Sequence, residues 1–226
     1  MNRYLKILFS VSTLTLSLLI TNNLFAQATF EGIVKIKMTA DDESFFIDYF
    51  IKDDNMRMEI NEEEEVVFIK SGEKSLILML EEKTYMDLNN PMFKQIPGMS
   101  NMEDDEYSSE PIDINKYKTG KTKNILGHEC EQWVFSDQKE DVEIEAWVTD
   151  ELGNFMMMKS PMGGGFSPNW GSSFKGKGFF PLLVITRDED GEETSRFEVV
   201  NVDQKGLNND LFHAPSDFEE LKIPGM

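Results

Sequence analysis

The chain has 226 residues, of which 22 are Lys or Arg and 42 are Asp or Glu, for a net charge of −20 at neutral pH. That charge excludes nucleic acid and anionic membrane surfaces as partners, because both would repel it. Cys130 is the one cysteine, which excludes an internal disulfide, so the 40% hydrophobic content must supply a core, and the length fits one domain.

The first 28 residues read as a secretory signal peptide. Arg3 and Lys6 give a basic start, Ile7–Ile20 is apolar or small, and Ala26-Gln27-Ala28 offers a small-residue exit, with cleavage after Ala26 or Ala28. Thr21-Asn22-Asn23 cuts the apolar run short of the roughly 20 residues that a membrane span needs, so no stable span is expected after cleavage. Loss of Arg3 and Lys6 with the leader takes the net charge from −20 to −22. The mature chain is expected to be secreted, and periplasmic in a source with two membranes.

Period-two alternation in short runs dominates the chain beyond the leader and predicts strands. In Phe30–Met38, Phe30, Val34, Ile36 and Met38 share one face. Ser44–Lys52 comes after the Asp41-Asp42-Glu43 turn. It carries Phe45, Ile47, Tyr49 and Ile51 on one side and Phe46 and Phe50 on the other, so part of it is expected to be covered on both faces. Met56, Met58 and Ile60 alternate with Arg57 and Glu59. Val66–Lys70, Leu76–Leu80 and Lys83–Leu88 complete a six-strand meander. Residues 89–112 form an excursion with Pro91, Pro97 and the acidic Glu103–Glu106. Lys116–Lys123, His128–Ser136 and Val142–Thr149 resume the strands. Gly153–Gly178 is a second excursion. Phe179–Arg187 and Thr194–Val202 form a hairpin about Asp190-Gly191, a favoured tight-turn pair. Leu211–Leu221 reads as a short terminal helix or a packed tail. The expected class is all-β with minor α: one curved antiparallel sheet or half-barrel of about ten or eleven strands with a loop or short-helix lid.

Thr119–Trp133, with Leu126-Gly127, Cys130 and Trp133, together with Glu145–Thr149, Phe30-Glu31-Gly32 and Leu211–Phe218, resembles an uncharacterised secreted bacterial family, domain of unknown function 4412 (DUF4412). The resemblance implies a fold similar to the periplasmic lipoprotein carriers and their outer-membrane receptors (LolA/LolB-like), in which an antiparallel half-barrel wraps an apolar cavity. It implies no catalytic residues. Read from the residues alone, Gly127 permits the turn between two strands. Cys130, Gln132 and Val134 share one face of the second strand, and Glu131, Trp133 and Phe135 the other. Trp147 is expected to pair across strands with one of these aromatics.

The candidate ligand-binding residues are Met156, Met157, Met158, Met162, Phe166 and Trp170, in a stretch that also holds Gly163-Gly164-Gly165, Phe174, Phe179 and Phe180. Glycine frees the backbone, and methionine and aromatic side chains make an adaptable apolar surface, the composition of a flap over an apolar cavity. Covering one end of a core would use the same residues. Cys130 reads as a small buried apolar residue. His128 and His213 are far apart and no Met-x-x-Met series or Cys-x-x-Cys pair occurs, so no metal and no cofactor is expected. Asp188–Glu193 reads as a solvated hairpin turn, lacking the spacing of a calcium loop. No G-x-S-x-G, H-E-x-x-H or phosphate-binding glycine loop is present, and the chain is not expected to be an enzyme. The expected role is non-catalytic binding of a lipid or acyl chain in the concave face. The alternative is a cell-envelope structural or protein-interaction module with a filled core, and a hydrolase with an unrecognised site is a third, weaker class.

Overall fold

The computed structural model describes residues 30–40, 43–61, 66–90, 113–137, 142–155 and 178–221. They form one open, curved sheet of twelve strands: β1 (Gly32–Ala40), β2 (Glu43–Lys52), β3 (Asn55–Asn61), β4 (Val66–Ser71), β5 (Lys74–Met79), β6 (Thr84–Asp87), β7 (Lys118–Ile125), β8 (His128–Asp137), β9 (Val142–Thr149), β10 (Phe180–Arg187), β11 (Glu193–Gln204) and β12 (Glu219–Glu220). The spatial order is β12-β6-β5-β4-β3-β2-β1-β11-β10-β9-β8-β7. Neighbours are antiparallel except β12, which lies parallel to β6. Two meanders therefore meet at the β1–β11 ladder, which closes the chain's two halves into one sheet.

Alternation fixes the two faces. On β1 the buried residues are Gly32, Val34, Ile36 and Met38, and the last three stand opposite Tyr49, Ile47 and Phe45 of β2. The same face continues through Met56, Met58 and Ile60 of β3, Phe68 of β4, Ile77 of β5 and Met86 of β6. On the other side it runs through Phe197, Val184, Ala146, Ile144, Trp133 and Phe135. This inner face holds the main core, and each large side chain removed from water there contributes about 1.5–3 kcal/mol.

The outer face is covered in two different ways. Over β4 and β5 the chain's own tail supplies the cover. Residues Leu207, Leu211, Phe212, Ala214 and Phe218 pack on Val67, Ile69, Leu76 and Leu78, with Ile33, Phe50 and Tyr85 alongside. The tail is tied down at several points. Lys52 Nζ bonds the Leu207 carbonyl at 2.6 Å, the Leu207 amide bonds Glu31 Oε1 at 2.7 Å, and Arg57 bonds the Leu211 carbonyl at 3.0 Å. Lys83 pairs with Asp217 at 2.7 Å, and the amides of Glu219 and Leu221 bond the carbonyls of Lys83 and Tyr85. The expected double cover of the second strand is thus realised at Phe50, while Phe46 stays exposed at 39%.

Of the two readings of Leu211–Leu221, the packed tail is the one observed. A single 3₁₀ turn, Asn209–Phe212, capped by the Asn208 side chain, leads into it, and β12 follows. That two-residue strand brings the count to twelve. A second 3₁₀ turn, Ile114–Lys116, precedes β7, and among the described residues there is no α-helix. No helix among them is long and apolar enough to cross a membrane.

Candidate functional site

The inner face carries an aromatic cluster at its centre. Tyr49 comes from β2, Phe180 from β10 and Phe197 from β11, where strand alternation points each of them inward. Phe155 comes from outside the strands, beyond the end of β9, and is 1% exposed. Its ring stacks on Tyr49 at 5.9 Å and meets Phe180 at 5.1 Å and Phe197 at 5.6 Å edge-on. Tyr49 and Phe180 also meet edge-on at 5.6 Å. Such offset and edge-to-face pairs suit the ring quadrupoles.

The backbone around Phe155 forms a neck. The Phe155 amide bonds the Phe179 carbonyl at 3.2 Å, and the Gly178 amide bonds Asn154 Oδ1 at 2.8 Å. Gly153 and Gly178 flank this neck with φ of 78° and 76°, left-handed values that glycine adopts without steric cost. The chain therefore leaves at Phe155 and returns at Gly178 from one place on the inner face. The expected ligand contacts Met156, Met157, Met158, Met162, Phe166 and Trp170 lie outside the described residues, as does any lid. Phe179 and Phe180, from the same apolar stretch, are described and belong to the inner face. Phe155 escaped the sequence reading because it comes after Gly153-Asn154 and looks like loop; the two glycines bracketing the excursion were its one signal.

A second aromatic group stands beside the first, towards the β7 edge. Trp133 lies 4.8 Å from Phe179 and 6.4 Å from Phe135, and Tyr117 lies 4.5 Å from Phe135. Two charged side chains join them. Lys118 Nζ is 2.8 Å from Glu131 Oε2, which also accepts from Trp133 Nε1 at 3.2 Å. The ammonium stands 5.7 Å from the Trp133 ring centre and 5.8 Å from that of Phe179. Burial pushes the Glu131 carboxyl up, but the bonds from Lys118 and Trp133 and the Lys118 charge outweigh it and hold it below its ordinary value.

The expected pairing of Trp147 with the β8 aromatics does not occur. The β8–β9 register sets Trp147 opposite Gln132 and Trp133 opposite Ala146, so the two tryptophans occupy opposite faces. A one-residue difference in register decides the face. On the outer face Trp147 lies under Lys123 Nζ at 3.9 Å and donates to Glu145 Oε1 at 2.7 Å. Gln132 Nε2 and Arg187 complete the bonding of Glu145 at 3.1 Å each.

The remaining candidates are structural. Cys130 is fully buried opposite Lys123, its sulfur is 3.6 Å from the His128 carbonyl, and burial pushes its thiol up to about 11. A thiol with so little thiolate at neutral pH is a poor nucleophile. His128 turns its Nδ1 to Glu151 Oε2 at 2.6 Å. Leu126 and Gly127 both have positive φ, 53° and 93°, the requirement of a two-residue hairpin between β7 and β8, and Asn124 Oδ1 accepts from the Gly127 amide. The Asp188 carboxylate accepts from the amides of Asp190 and Glu192, which makes the acidic stretch a bonded hairpin turn. Among the described residues no group of His, Cys, Asp and Glu is arranged to hold a metal ion.

The family model described as a domain of unknown function, DUF4412, matches residues 30–218. Among solved structures, the chain is similar to an uncharacterized conserved protein from Thermus thermophilus. The identity there is 11%, with 91% of this chain and 98% of that chain covered and a TM-score of 0.50. It is also similar to a chain of the Pseudomonas aeruginosa MucA/MucB complex. There the identity is 8%, 88% of this chain and 60% of that chain are covered, and the TM-score is 0.52. At these identities the likeness is one of fold, and the half-barrel is the fold expected of a LolA/LolB-like chain. No curated protein matches.

Proposed function

On the premise that the chain belongs to the DUF4412 family, we propose that it is a secreted, extracytoplasmic and non-catalytic protein that binds an apolar ligand, a lipid or acyl chain, on the inner face of its half-barrel. The observation that carries this reading is Phe155. A ring from outside the strands is held against Tyr49, Phe180 and Phe197, between two left-handed glycines, in the place an acyl chain would take. Phe155 is then an internal plug. An entering chain displaces it, and the two left-handed glycines of the neck, Gly153 and Gly178, absorb the movement. The Met1–Ala28 leader supports export.

A second reading, a cell-envelope interaction module, is favoured by the same rings seen differently: at 5.1–5.9 Å they fill the centre of the inner face. The structural likeness to a chain from a two-protein complex is compatible with it. Native mass spectrometry of the full chain, purified gently and then offered palmitate, separates the two. The apolar-ligand reading expects a discrete non-covalent adduct that disappears on denaturation, and stronger uptake in Phe155→Ala. A bare polypeptide mass with no palmitate uptake in either protein would leave the interaction module.

A further inference from the structure

The strand ladder gives the inner face one distinctive charged feature. Lys118 stands opposite Trp133, and Glu131 is two residues from Trp133 along β8, so both side chains lie on the apolar side of the sheet. The same parity puts Lys35–Asp48, Arg57–Glu59 and Arg187–Glu145 on the outer face. Among the described residues Lys118–Glu131 is the ion pair of the inner face. Its two side chains are each 29% exposed, so solvent and solutes reach them. A pair this exposed adds little to folding stability, because solvent screens it and two long side chains must be held still. Its place in a wall of Trp133, Phe179, Phe135 and Tyr117 therefore calls for another account.

We propose that Lys118 and Glu131 form the headgroup site of the inner face, and that the ligand is a diacyl phospholipid with a zwitterionic headgroup that carries an amine and a phosphate. The inference rests on the apolar-ligand reading and names the ligand class. The amine of the headgroup meets the Glu131 carboxylate and the π faces of Trp133 and Phe179, a setting that favours cations. The phosphate meets the Lys118 ammonium. One internal ion pair is exchanged for two with the ligand, and the site stays neutral. An anionic headgroup fits less well. It would satisfy Lys118 but face an unpaired Glu131 in a chain of net charge −20. The acyl chains then run along the inner face from the Trp133–Phe179 ring pair towards the Phe155–Phe180 ring pair.

The test uses the full chain and three lipids with the same labelled acyl chains: phosphatidylethanolamine, phosphatidylglycerol and diacylglycerol. The proposal expects phosphatidylethanolamine to bind about tenfold more tightly than the other two. Lys118→Met and Glu131→Gln should each abolish the preference for phosphatidylethanolamine over phosphatidylglycerol, and a cooperative thermal unfolding transition close to that of the native chain reports that the variants fold. The exchanged pair, Lys118→Glu with Glu131→Lys, should restore that preference, since a zwitterion can meet the charges in either order. Equal binding of the three lipids, or preference for phosphatidylglycerol, would overturn the headgroup site while the apolar-ligand reading stood. Binding of none of them by the native chain would overturn that reading, and the headgroup site with it.

Discussion

The two halves of the sheet cover their outer faces by opposite means. On β4 and β5, Val67-Phe68-Ile69 and Leu76-Ile77-Leu78 are buried three in a row, because the tail lays Leu207 and Phe212 over the outward members of each run. On β8 and β9 the outward residues include Cys130, Gln132, Glu145 and Trp147, and over Trp147 the cover is a bonded carboxylate and a lysine. An apolar outer face needs a second layer of chain. A polar one needs each buried donor and acceptor to find its partner. The first device rests on apolar burial, with charged ties such as Lys83–Asp217 at its margins, and the second is governed by charge throughout.

The sharpest way to break the comparison is to remove the tail's largest buried side chain. Phe212 is 2% exposed in the outer cluster. Phe212→Ala should cost about 3–5 kcal/mol, as deletion of a buried aromatic does. Denaturant unfolding measures the cost, and amide exchange should rise in β4, β5 and β12 well before β8 and β9. Uniform exchange across the sheet would show that the tail is not a separate cover.

The polar half yields to charge. Burial pushes the Glu145 carboxyl up, but the bonds from Trp147, Gln132 and Arg187 and the Arg187 charge prevail and hold it below its ordinary value of 4.5. Glu145→Gln should cost about 1–3 kcal/mol at neutral pH, the range for a bond to a charged group or an unmet buried one. The stability contributed by a depressed carboxyl is complete above its unfolded value and is lost as pH falls through its folded one. The gap between native chain and variant should therefore narrow as pH drops below about 4.5. A gap that is constant with pH would mean that the amide loses shape complementarity and not charge.

How much of this was legible in the sequence depends on the same contrast. The alternation of Val34, Ile36 and Met38 marks an inner face whatever lies opposite. The continuous run Val67-Phe68-Ile69 announces a strand covered twice, but nothing local says that the cover is the chain's own last residues, far away in sequence. Cys130 was readable as a buried apolar residue because a free cysteine behaves as a small hydrophobe. The partner of Trp147 was not, since it depends on the register of β8 against β9, which a single strand does not carry. Phe155 was hidden for a related reason. Its burial is set by Tyr49, Phe180 and Phe197 on three other strands, and alternation says nothing about a residue outside them.

The smallest expected effect asks what the lysine over Trp147 contributes. Lys123 Nζ lies 3.9 Å from the ring centre, a geometry that attracts a cation by about 0.5–1 kcal/mol. Burial opposes it, lowering the Lys123 pKa against the raising charges of Glu145 and Cys130. The charged tip is thus held by one effect and penalised by another, whereas the methylene stem covers Trp147 at no such cost. Lys123→Met keeps the stem and should cost about 0.5 kcal/mol; Lys123→Ala loses it and should cost about 1–1.5 kcal/mol. Thermal unfolding of the two variants side by side decides it. If Met costs as much as Ala, the ammonium and not the stem covers the tryptophan, and the polar half is held by charge down to its last contact. If the two separate in the expected order, even the polar half closes over its tryptophan with carbon, and the contrast with the tail-clad half is one of degree at that position.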